Sequence, residues 1–341
     1  MNARTLLGAL ALIVASLLVW ELRWVLLVLF GAVVLAVALD VPISLVRRLL
    51  PLNRPAALAL VVGVILVLGS WLTQQLLPEV IEQMQQLIAL IPALSRRLAE
   101  LARNLPGLAQ MEKQLINGDL LGRLQPVGAQ VLGVAGGAAN ITVQLLLMAL
   151  LAILLALDPR SHQRLLIAAT PSFYRPRMRL LLSACREALG GWLAGMTLSA
   201  VVVFLTTWLG LRLLGIPLAL LSALVCGLLT FVPTIGPTAA TLLPMAVALM
   251  VSPTKLVQVL VLRLFLQNAE AFIVTPLLLS RTVNLLPTVS LMAQLCLGAL
   301  LGLPGILLAL PLVVVLQVVG EEVLVHDIMD RWDNNPAASD P

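Results

Sequence analysis

The chain alternates between long apolar stretches and short polar connections. Apolar runs of roughly 20 residues are long enough to cross the hydrocarbon core of a bilayer as helices. A helix also satisfies its own backbone N–H and C=O groups, which lipid cannot do. The pattern therefore predicts an all-α integral membrane protein with about eight membrane-embedded segments. The uninterrupted segments ahead of residue 215 lie at 5–20, 24–46, 56–77, 141–157 and 192–214.

Two segments broken by proline and glycine flank a segment that carries charges. The first covers 217–250 and contains FVPTIGP at 231–237; the second covers 287–320 and contains GLPG at 302–305. Each first half holds about 15 residues and is too short to cross the membrane, so re-entrant hairpins are favoured over full crossings. Residues 255–279 then cross between the hairpins. Paired interruptions of this kind are typical of transporter substrate sites.

The proline spacing suggests a weak internal repeat. Pro217 opens the first broken segment and Pro244 follows its break, as Pro287 and Pro311 do in the second. Opposite entry sides would relate the two units as an inverted repeat. Chance spacing in a chain with 21 prolines is the alternative.

The region 78–140 differs in kind, because charged residues are interleaved along it and exclude a membrane crossing. It predicts an amphipathic helical insertion outside the cytoplasm. Its apolar stripe favours either an oligomer contact or a position along the bilayer surface. The stripe comprises Met84, Ile88, Ile91, Leu94, Leu98, Leu101 and Leu105.

These patterns divide the chain into five predicted regions. They are the N-terminal helices at 1–77, the insertion at 78–140, a membrane helix with basic helices at 141–191, a transport core with both broken hairpins at 192–320, and a tail at 321–341.

Arginine in the connections sets the predicted orientation. Arg47, Arg48 and Arg54 lie in one connection, and positively charged loops stay in the cytoplasm. The connection between 157 and 192 is also basic, with Arg160, Arg164, Arg175, Arg177, Arg179 and Arg186. The N-terminus is therefore predicted to be cytoplasmic, and the hairpin interpretation of the broken segments places the C-terminus on the same side. Asp40 predicts an ion pair at the cytoplasmic end of its helix, with a proton or ion site as the alternative.

Composition agrees with a lipid environment. The chain is 61% hydrophobic and 11% charged, with a mean hydropathy of +1.07. Its net charge of +5 predicts contact with lipid headgroups and no nucleic-acid partner. Cys185, Cys226 and Cys296 lie far apart and indicate packing residues, without metal-ligand spacing. The sequence contains no P-loop, G-x-S-x-G or dinucleotide motif. It thus predicts neither an enzyme nor a bound cofactor or metal.

The charged crossing supplies the candidate site. Arg263, Gln267 and Glu270 share one helical face at i, i+4 and i+7, and Asn268 lies beside them. Ionisable side chains at membrane depth indicate function by default. An Arg263–Glu270 bridge, or a tie to another helix, is the structural alternative to a solute or cation site. The breaks add Pro233, Thr234, Gly236, Pro237, Gly302 and Gly305.

These motifs resemble the autoinducer-2 exporter family, also called the PerM-like permeases, over nearly the whole chain. The similar residues are the P-x-x-G-P break at 233–237, then Gln267, Glu270 and Pro276, and the closing Gly298, Gly302, Gly305 and Ala309-Leu310-Pro311. The resemblance implies eight embedded segments, an extracytoplasmic insertion, and a homo-oligomer with a pentamer as the expected form. It also implies export by an elevator-like movement.

Three functions follow as hypotheses. The first is a bacterial inner-membrane permease that exports a small polar solute, autoinducer-2-like or a related metabolite, driven by an ion or solute gradient. The second is a Na+(Li+)/H+ antiporter in which Glu270 couples to H+ or Na+. The third is a non-transporting membrane scaffold that acts through its amphipathic helices.

Overall fold

The computed structural model describes residues 20–103, 138–232, 235–274 and 286–329, together with Val14, Leu17 and Leu18. Within this part the chain is helical and has no strand, which confirms the all-α prediction. The first predicted span, 5–20, lies almost wholly outside the described residues.

The first two described helices cover the next two predicted spans. Helix α1 is Arg23–Leu49 and helix α2 is Arg54–Arg103. Helix α2 continues through Pro78 and Pro92, past the predicted end of its span at residue 77. An internal proline removes one backbone hydrogen bond, while the neighbouring bonds remain. At 1.5 Å per residue α2 is about 75 Å long, so it extends well beyond a ~30 Å hydrocarbon core.

A sharp bend separates the next two helices. Helix α3, Ala138–Leu157, meets helix α4, Pro159–Ala168, at 86°. Asp158 lies at the bend and caps α4, because its carboxylate accepts hydrogen bonds from the backbone N–H and the hydroxyl of Ser161. These hydrogen bonds hold the pKa of the exposed Asp158 carboxyl below its usual value. A short 3₁₀ turn, Ser172–Tyr174, leads to helix α5, Arg175–Leu213.

The broken segments and the crossing between them form the remaining helices. Helices α6, Ala219–Leu229, and α7, Ile235–Val251, are the halves of the first broken segment. Helix α8, Pro253–Ala269, continues as a π-helical turn, Glu270–Val274. Helix α9, Pro287–Val319, contains the second break at Gly302 and continues as π-helix over Gly320–Met329.

Five of the described helices are long and apolar enough to span a membrane, or six if the bent pair α3–α4 is one span. A multi-span helical protein is therefore confirmed. The count of about eight segments and the re-entrant form of the broken segments stay predictions. Both α6 and α7, at 11 and 17 residues, are shorter than the shortest of these spans, Pro253–Ile273, which has 21 residues.

The chain forms two compact units. One comprises Met1–Leu58, Gln144–Leu193 and Thr282–Pro341; the other comprises Ala59–Val143 and Ala194–Arg281. We refer to them as unit 1 and unit 2. The first broken segment and α8 belong to unit 2, and the second broken segment belongs to unit 1. The predicted transport core, 192–320, thus has residues in both units.

Unit 2 has an apolar core at the turn between α5 and α6 and at the adjoining parts of α7 and α8. Its buried members are Leu211, Ile216, Leu218, Ala219, Val247, Ala248 and Val259. Leu87 and Leu90 of α2 pack against this core. They belong to the region predicted as an insertion, so part of that region is packed within its own chain. Exposed Ile88, from the predicted stripe, lies on a different face of α2.

Unit 1 packs α1 against α3, α5 and α9. A Cβ added at Gly31 of α1 would lie 2.8 Å from the Met148 side chain and 3.3 Å from Leu308. Gly190 of α5 similarly approaches Val37 of α1. Glycine allows these helices to lie close together, as is common between membrane helices.

Candidate functional site

The candidate site of unit 2 lies between α5 and α8, which pack antiparallel. Residues late in one helix contact residues early in the other. The contacting pairs, in order, are Leu214 with Lys255, Gly210 with Leu262, Thr207 with Arg263, and Ser199 with Glu270. Lys255 Nζ donates to the Leu214 carbonyl at 2.5 Å, where the end of α5 leaves acceptors without a helical partner. The two pairs of polar side chains, Thr207 with Arg263 and Ser199 with Glu270, therefore lie along one helix–helix seam.

Arg263 is buried in this seam, with 4% of its surface exposed. Its Nη1 donates to the Thr207 hydroxyl at 3.1 Å, and its Nε donates to the Thr241 hydroxyl at 3.3 Å. The guanidinium thus ties α8 to α5 and α7, the second of the structural alternatives. The other alternative, an Arg263–Glu270 bridge, is not among the ion pairs of the described residues. A charged side chain at the centre of a membrane helix costs about 2.5–3.5 kcal/mol on insertion scales.

Glu270 lies two turns further along α8, about 10 Å from Arg263 along the axis. Its Oε1 accepts a hydrogen bond of 2.9 Å from the Ser199 hydroxyl of α5. Glu270 is the first residue of the π-helical turn Glu270–Val274. Single π turns within α-helices are rare and occur frequently at functional sites. The carboxylate thus stands where the regular helix ends, held by one hydroxyl.

Gln267 and Asn268 occupy different environments. Gln267 is half-buried on the face of Arg263 and Glu270, and its side chain makes no hydrogen bond to any described residue. Asn268 is exposed, and its Nδ2 donates to the Leu264 carbonyl of its own helix at 2.7 Å. The structure therefore groups Gln267 with the two charged residues and places Asn268 apart from them.

The first break is a tight reversal between α6 and α7. A Cβ added at Gly236 would collide with the Leu229 carbonyl oxygen. Seven residues of a straight helix would separate these positions by about 10 Å, so the chain folds back. Pro237 follows, and its carbonyl accepts from the Thr241 hydroxyl at 2.9 Å. Pro233 and Thr234 lie outside the described residues.

A buried thiol stabilises the second half of this break. Pro244 lies inside α7 and has no N–H, so the Ala240 carbonyl lacks its usual helical donor. The Cys226 thiol of α6 donates to that carbonyl, with an S···O distance of 3.3 Å. Cys226 is therefore a packing residue of the reversal, as its apolar surroundings predict.

The second break, in unit 1, has the same form. Gly302 has φ +64° and ψ −148°, a conformation confined to glycine, and it separates the two halves of α9. A Cβ at Gly305 would collide with the Leu297 carbonyl oxygen, and one at Gly298 would lie 2.8 Å from Ile306. Both breaks therefore place a glycine against a carbonyl seven or eight positions earlier. This shared geometry supports the predicted repeat.

Corresponding positions in the first halves of both broken segments are polar and buried. Ser222 lies four residues after the N-cap of α6, and Ser290 lies four residues after that of α9. The Ser222 hydroxyl, and both polar side-chain atoms of Gln294 one turn after Ser290, have no hydrogen-bond partner within the described residues. Buried polar atoms are usually bonded, so these three atoms are exceptions in an apolar setting.

Gln83 makes a hydrogen bond to α6 that could not be predicted from the sequence. The chain enters α6 through Leu218, which has a left-handed backbone (φ 55°, ψ 30°). The Gln83 side chain of α2 accepts a 2.8 Å hydrogen bond from the Leu221 N–H in the first turn of α6. A helix start lacks internal partners for its first N–H groups, and Gln83 supplies one from a distant segment. No local capping residue signals this contact.

Unit 1 contains a second charged cluster around Asp40. The carboxylate pairs with Arg54 at 2.6 Å and with Arg186, and Arg54 also donates to the Ala156 carbonyl at 2.8 Å. Asp40 therefore makes an ion pair, as the first of its two predicted roles requires. Two cavities of about 430 and 400 Å³ adjoin it. They share Val37, Asp40, Gln163 and Arg186 in their linings.

The described part of the chain contains no cluster of side chains suited to binding a metal ion. His, Cys, Asp and Glu side chains there do not gather in any group of three or more that could hold a metal ion. The described cysteines, Cys185, Cys226 and Cys296, are free thiols. The polar groups of the site in unit 2 are instead one guanidinium, one carboxylate, one amide and several hydroxyls. Such a set suits hydrogen bonding to a polar solute.

Comparison with known proteins agrees with a transporter. A family model described as AI-2E family transporter matches residues 7–324. The chain is 26% identical to Putative transport protein YrrI of Bacillus subtilis (strain 168) over 165 residues, 48% of this chain and 46% of that protein. It is 31% identical to Putative transport protein MT0215 of Mycobacterium tuberculosis (strain CDC 1551 / Oshkosh) over 155 residues, 45% of this chain and 42% of that protein.

An archaeal protein is also similar. Putative transport protein MJ1177 of Methanocaldococcus jannaschii is 26% identical over 162 residues, 46% of this chain and 47% of that protein. The matched stretches thus span about half the length of these relatives.

Proposed function

We propose, from the premise that this chain belongs to the AI-2E transporter family and is a membrane permease, that it exports a small polar solute. The solute class is autoinducer-2-like or a related metabolite. The proposed location is a bacterial inner membrane with both termini in the cytoplasm, as the basic connections favour. A gradient of an ion or of the solute itself would drive export, because the chain has no nucleotide-binding motif.

One observation carries the site assignment. Within a helix long and apolar enough to span the membrane, Glu270 opens a π turn and is held by the Ser199 hydroxyl. Gln267, one turn earlier, has a half-buried amide without a hydrogen bond to the described residues. A purely structural carboxylate would be expected to pair with a cation. A hydroxyl-bonded carboxylate beside an unused amide is better suited to exchanging hydrogen bonds with a solute.

The broken segments are proposed to be the moving parts. Their reversals bring Gly236 against the Leu229 carbonyl and Gly305 against the Leu297 carbonyl, which is the expected form of a hairpin tip. Non-helical backbone at membrane depth is tolerated where it is buried in protein or lines an aqueous cavity. An elevator-like movement would carry a hairpin tip and the bound solute across the membrane. The exposed apolar surface of α2 around Ile81 and Ile88 fits the expected homo-oligomer, with a pentamer as its proposed form.

Efflux from cells tests this function. Cells that overproduce the chain are expected to release a polar metabolite faster, and Glu270→Gln and Gly236→Leu should each abolish the excess. Surface accessibility and membrane yield of each variant serve as controls. Normal flux in both variants at normal yield would remove the site assignment. A phenotype that survives Glu270→Gln but is lost on deletion within 78–105 would instead indicate a non-transporting scaffold.

The position of Glu270 also favours a second candidate, a Na+(Li+)/H+ antiporter. A carboxylate within a membrane span can exchange a proton for a cation. Inverted membrane vesicles acidified by respiration are expected to lose protons when Na+ or Li+ is added, and vesicles with Glu270→Gln should not. K+ addition controls for ionic strength. Vesicles whose internal pH does not respond to either cation would exclude this candidate.

A further inference from the structure

The guanidinium of Arg263 is a buried positive charge with neutral partners. We infer that Arg263 is the anion-binding group of the site, and that the transported solute carries a carboxylate or a phosphate. This inference rests on the proposed function, because it assigns a substrate class to the same site. Neither the family match nor the names of the relatives specify the charge of a substrate.

The contacts of Arg263 orient its charge without neutralising it. The Thr207 and Thr241 hydroxyls accept from Nη1 and Nε, and Thr207 is fully buried. Hydroxyl dipoles lower the desolvation penalty of a cation but supply no negative charge. Within the described residues, Arg263 has no ion pair with a carboxylate. A buried arginine in a membrane protein normally has an acidic or carbonyl partner, and the described residues supply none here.

Glu270 is not the acidic partner of Arg263, although both residues lie on the same face of α8. Its carboxylate bonds to Ser199, about two helical turns from Arg263. Gln267 lies between the two charges, one turn from Arg263, with its amide unused by the described residues. One face of α8 therefore carries a positive charge, on Arg263, followed one turn later by a hydrogen-bonding amide, on Gln267. This sequence of groups is complementary to an anion with further polar atoms.

The remaining donors of Arg263 have the geometry for such an anion. A guanidinium has five N–H groups in one plane. Thr241 takes the one on Nε and Thr207 takes one on Nη1, so the other N–H groups at the Nη1–Nη2 end have no hydrogen-bond acceptor among the described residues. That end of the plane forms two parallel hydrogen bonds with a carboxylate or a phosphate. The threonines thus fix the plane while the fork of the guanidinium stays available.

Vesicle uptake from a metabolite mixture tests the charge of the solute without requiring a single candidate compound. Inverted membrane vesicles containing the full chain are energised by respiration and incubated at pH 7 with a small-molecule extract of the expression host. Their contents are then separated by anion exchange and identified by mass spectrometry. Solutes that accumulate through the wild-type chain are expected to be anionic at pH 7. Arg263→Gln is expected to lower their accumulation roughly 30-fold or more, because it removes the charged partner.

Matched variants separate an anion-binding role from a structural one. Arg263→Lys keeps the charge and is expected to retain selectivity for anions with weaker accumulation, because lysine lacks the planar fork. Arg212→Gln removes an exposed cation of α5 that lies over the Trp208 ring, and it should leave the selectivity unchanged. Thr241→Val keeps the charge but loses the hydrogen bond to Nε, and is expected to weaken anion accumulation. It provides a readout if Arg263→Gln does not reach the membrane.

Four results would contradict the inference. Accumulation of neutral or cationic solutes overturns the anion inference and leaves the export function standing. An equal loss of all solutes in Arg263→Gln, with the ratio of anionic to neutral solutes unchanged, also overturns it. If Arg263→Gln is absent from the membrane, unchanged anion accumulation in Thr241→Val overturns it. Vesicles that accumulate no solute beyond the empty-vector control overturn both the inference and the proposed function.

Discussion

The hydroxyl of Ser199 donates a 2.9 Å hydrogen bond to Glu270, across 71 residues of sequence. The bond connects the middle of α5 to the point at which α8 becomes a π-helical turn. Thr207 and Arg263 make the neighbouring polar contact of the same helix pair. An acid and a base of one helix are thus each held by a hydroxyl of the other. This arrangement separates two charges that could have neutralised each other.

Removing the Ser199 hydroxyl is expected to impair transport. A hydrogen bond to a charged group contributes about 1.5–3 kcal/mol, so Ser199→Ala should lower the efflux rate by roughly tenfold or more if the bond positions Glu270 for the solute. Thr206→Val on the same helix is the control, because the Thr206 hydroxyl bonds to the backbone of its own helix. Efflux rates are compared at equal membrane yield. Equal rates in Ser199→Ala and Thr206→Val would contradict the role of this bond.

Side chains at the reversal glycines are expected to destabilise both breaks. In Gly236→Ala the new Cβ would meet the Leu229 carbonyl, and in Gly305→Ala it would meet that of Leu297. Overpacking against backbone costs roughly 1–3 kcal/mol. Gly63→Ala is the control, since a Cβ there has nothing within 4 Å and alanine favours a helix by about 1 kcal/mol. The unfolding temperature of the purified protein in detergent should fall for Gly236→Ala and Gly305→Ala, and it should not fall for Gly63→Ala.

The cap from α2 to the first broken segment is expected to contribute to stability. Gln83→Ala leaves the Leu221 N–H without its partner, and loss of a helix cap typically costs about 1 kcal/mol. Gln86→Ala is the matched change, because Gln86 makes an exposed contact with Glu82 on its own helix. Protease accessibility near residue 218 provides the local measurement. Similar cleavage rates in the two variants would show that the cap is dispensable.

The double ion pair of Asp40 is expected to hold three segments of unit 1 together. Asp40→Asn leaves Arg54 and Arg186 facing each other without the carboxylate, at a cost of about 1–3 kcal/mol. Glu187→Gln is the control, because Glu187 is exposed and lines the adjoining cavity. The measured quantity is the unfolding temperature in detergent. A fall for Glu187→Gln as large as that for Asp40→Asn would show a general charge effect.

Much of the helical layout was predictable, because each spanning helix must be continuously apolar over a fixed length. The predicted span 24–46 corresponds to Arg23–Leu49, and 141–157 corresponds to Ala138–Leu157. The end of the span that begins at residue 56 was not predictable, because α2 runs through Pro78. Proline is a helix breaker on average, but a helix already held at both sides tolerates the loss of one hydrogen bond.

The candidate site was predictable as a helical face but not as a set of contacts. The i, i+4, i+7 spacing aligns Arg263, Gln267 and Glu270 on one face, and the structure places Arg263 and Glu270 against α5. Spacing along one helix does not reveal partners from other helices. The sequence therefore did not single out the hydroxyl residues of the site, Ser199, Thr207 and Thr241. Hydroxyl side chains are common in membrane helices, and the partners of these three lie far along the chain.

The sequence by itself determined the solvent, the helical class, the broken segments and the face that carries charge. These follow from local rules: the thickness of the bilayer, the period of the helix and the backbone limits of proline and glycine. Only the tertiary structure decided that Arg263 bonds to hydroxyls of α5 and α7, and that the amide of Gln83 caps α6. Those contacts depend on which helices pack together. The packing determines whether a buried charge has a charged partner or only neutral ones.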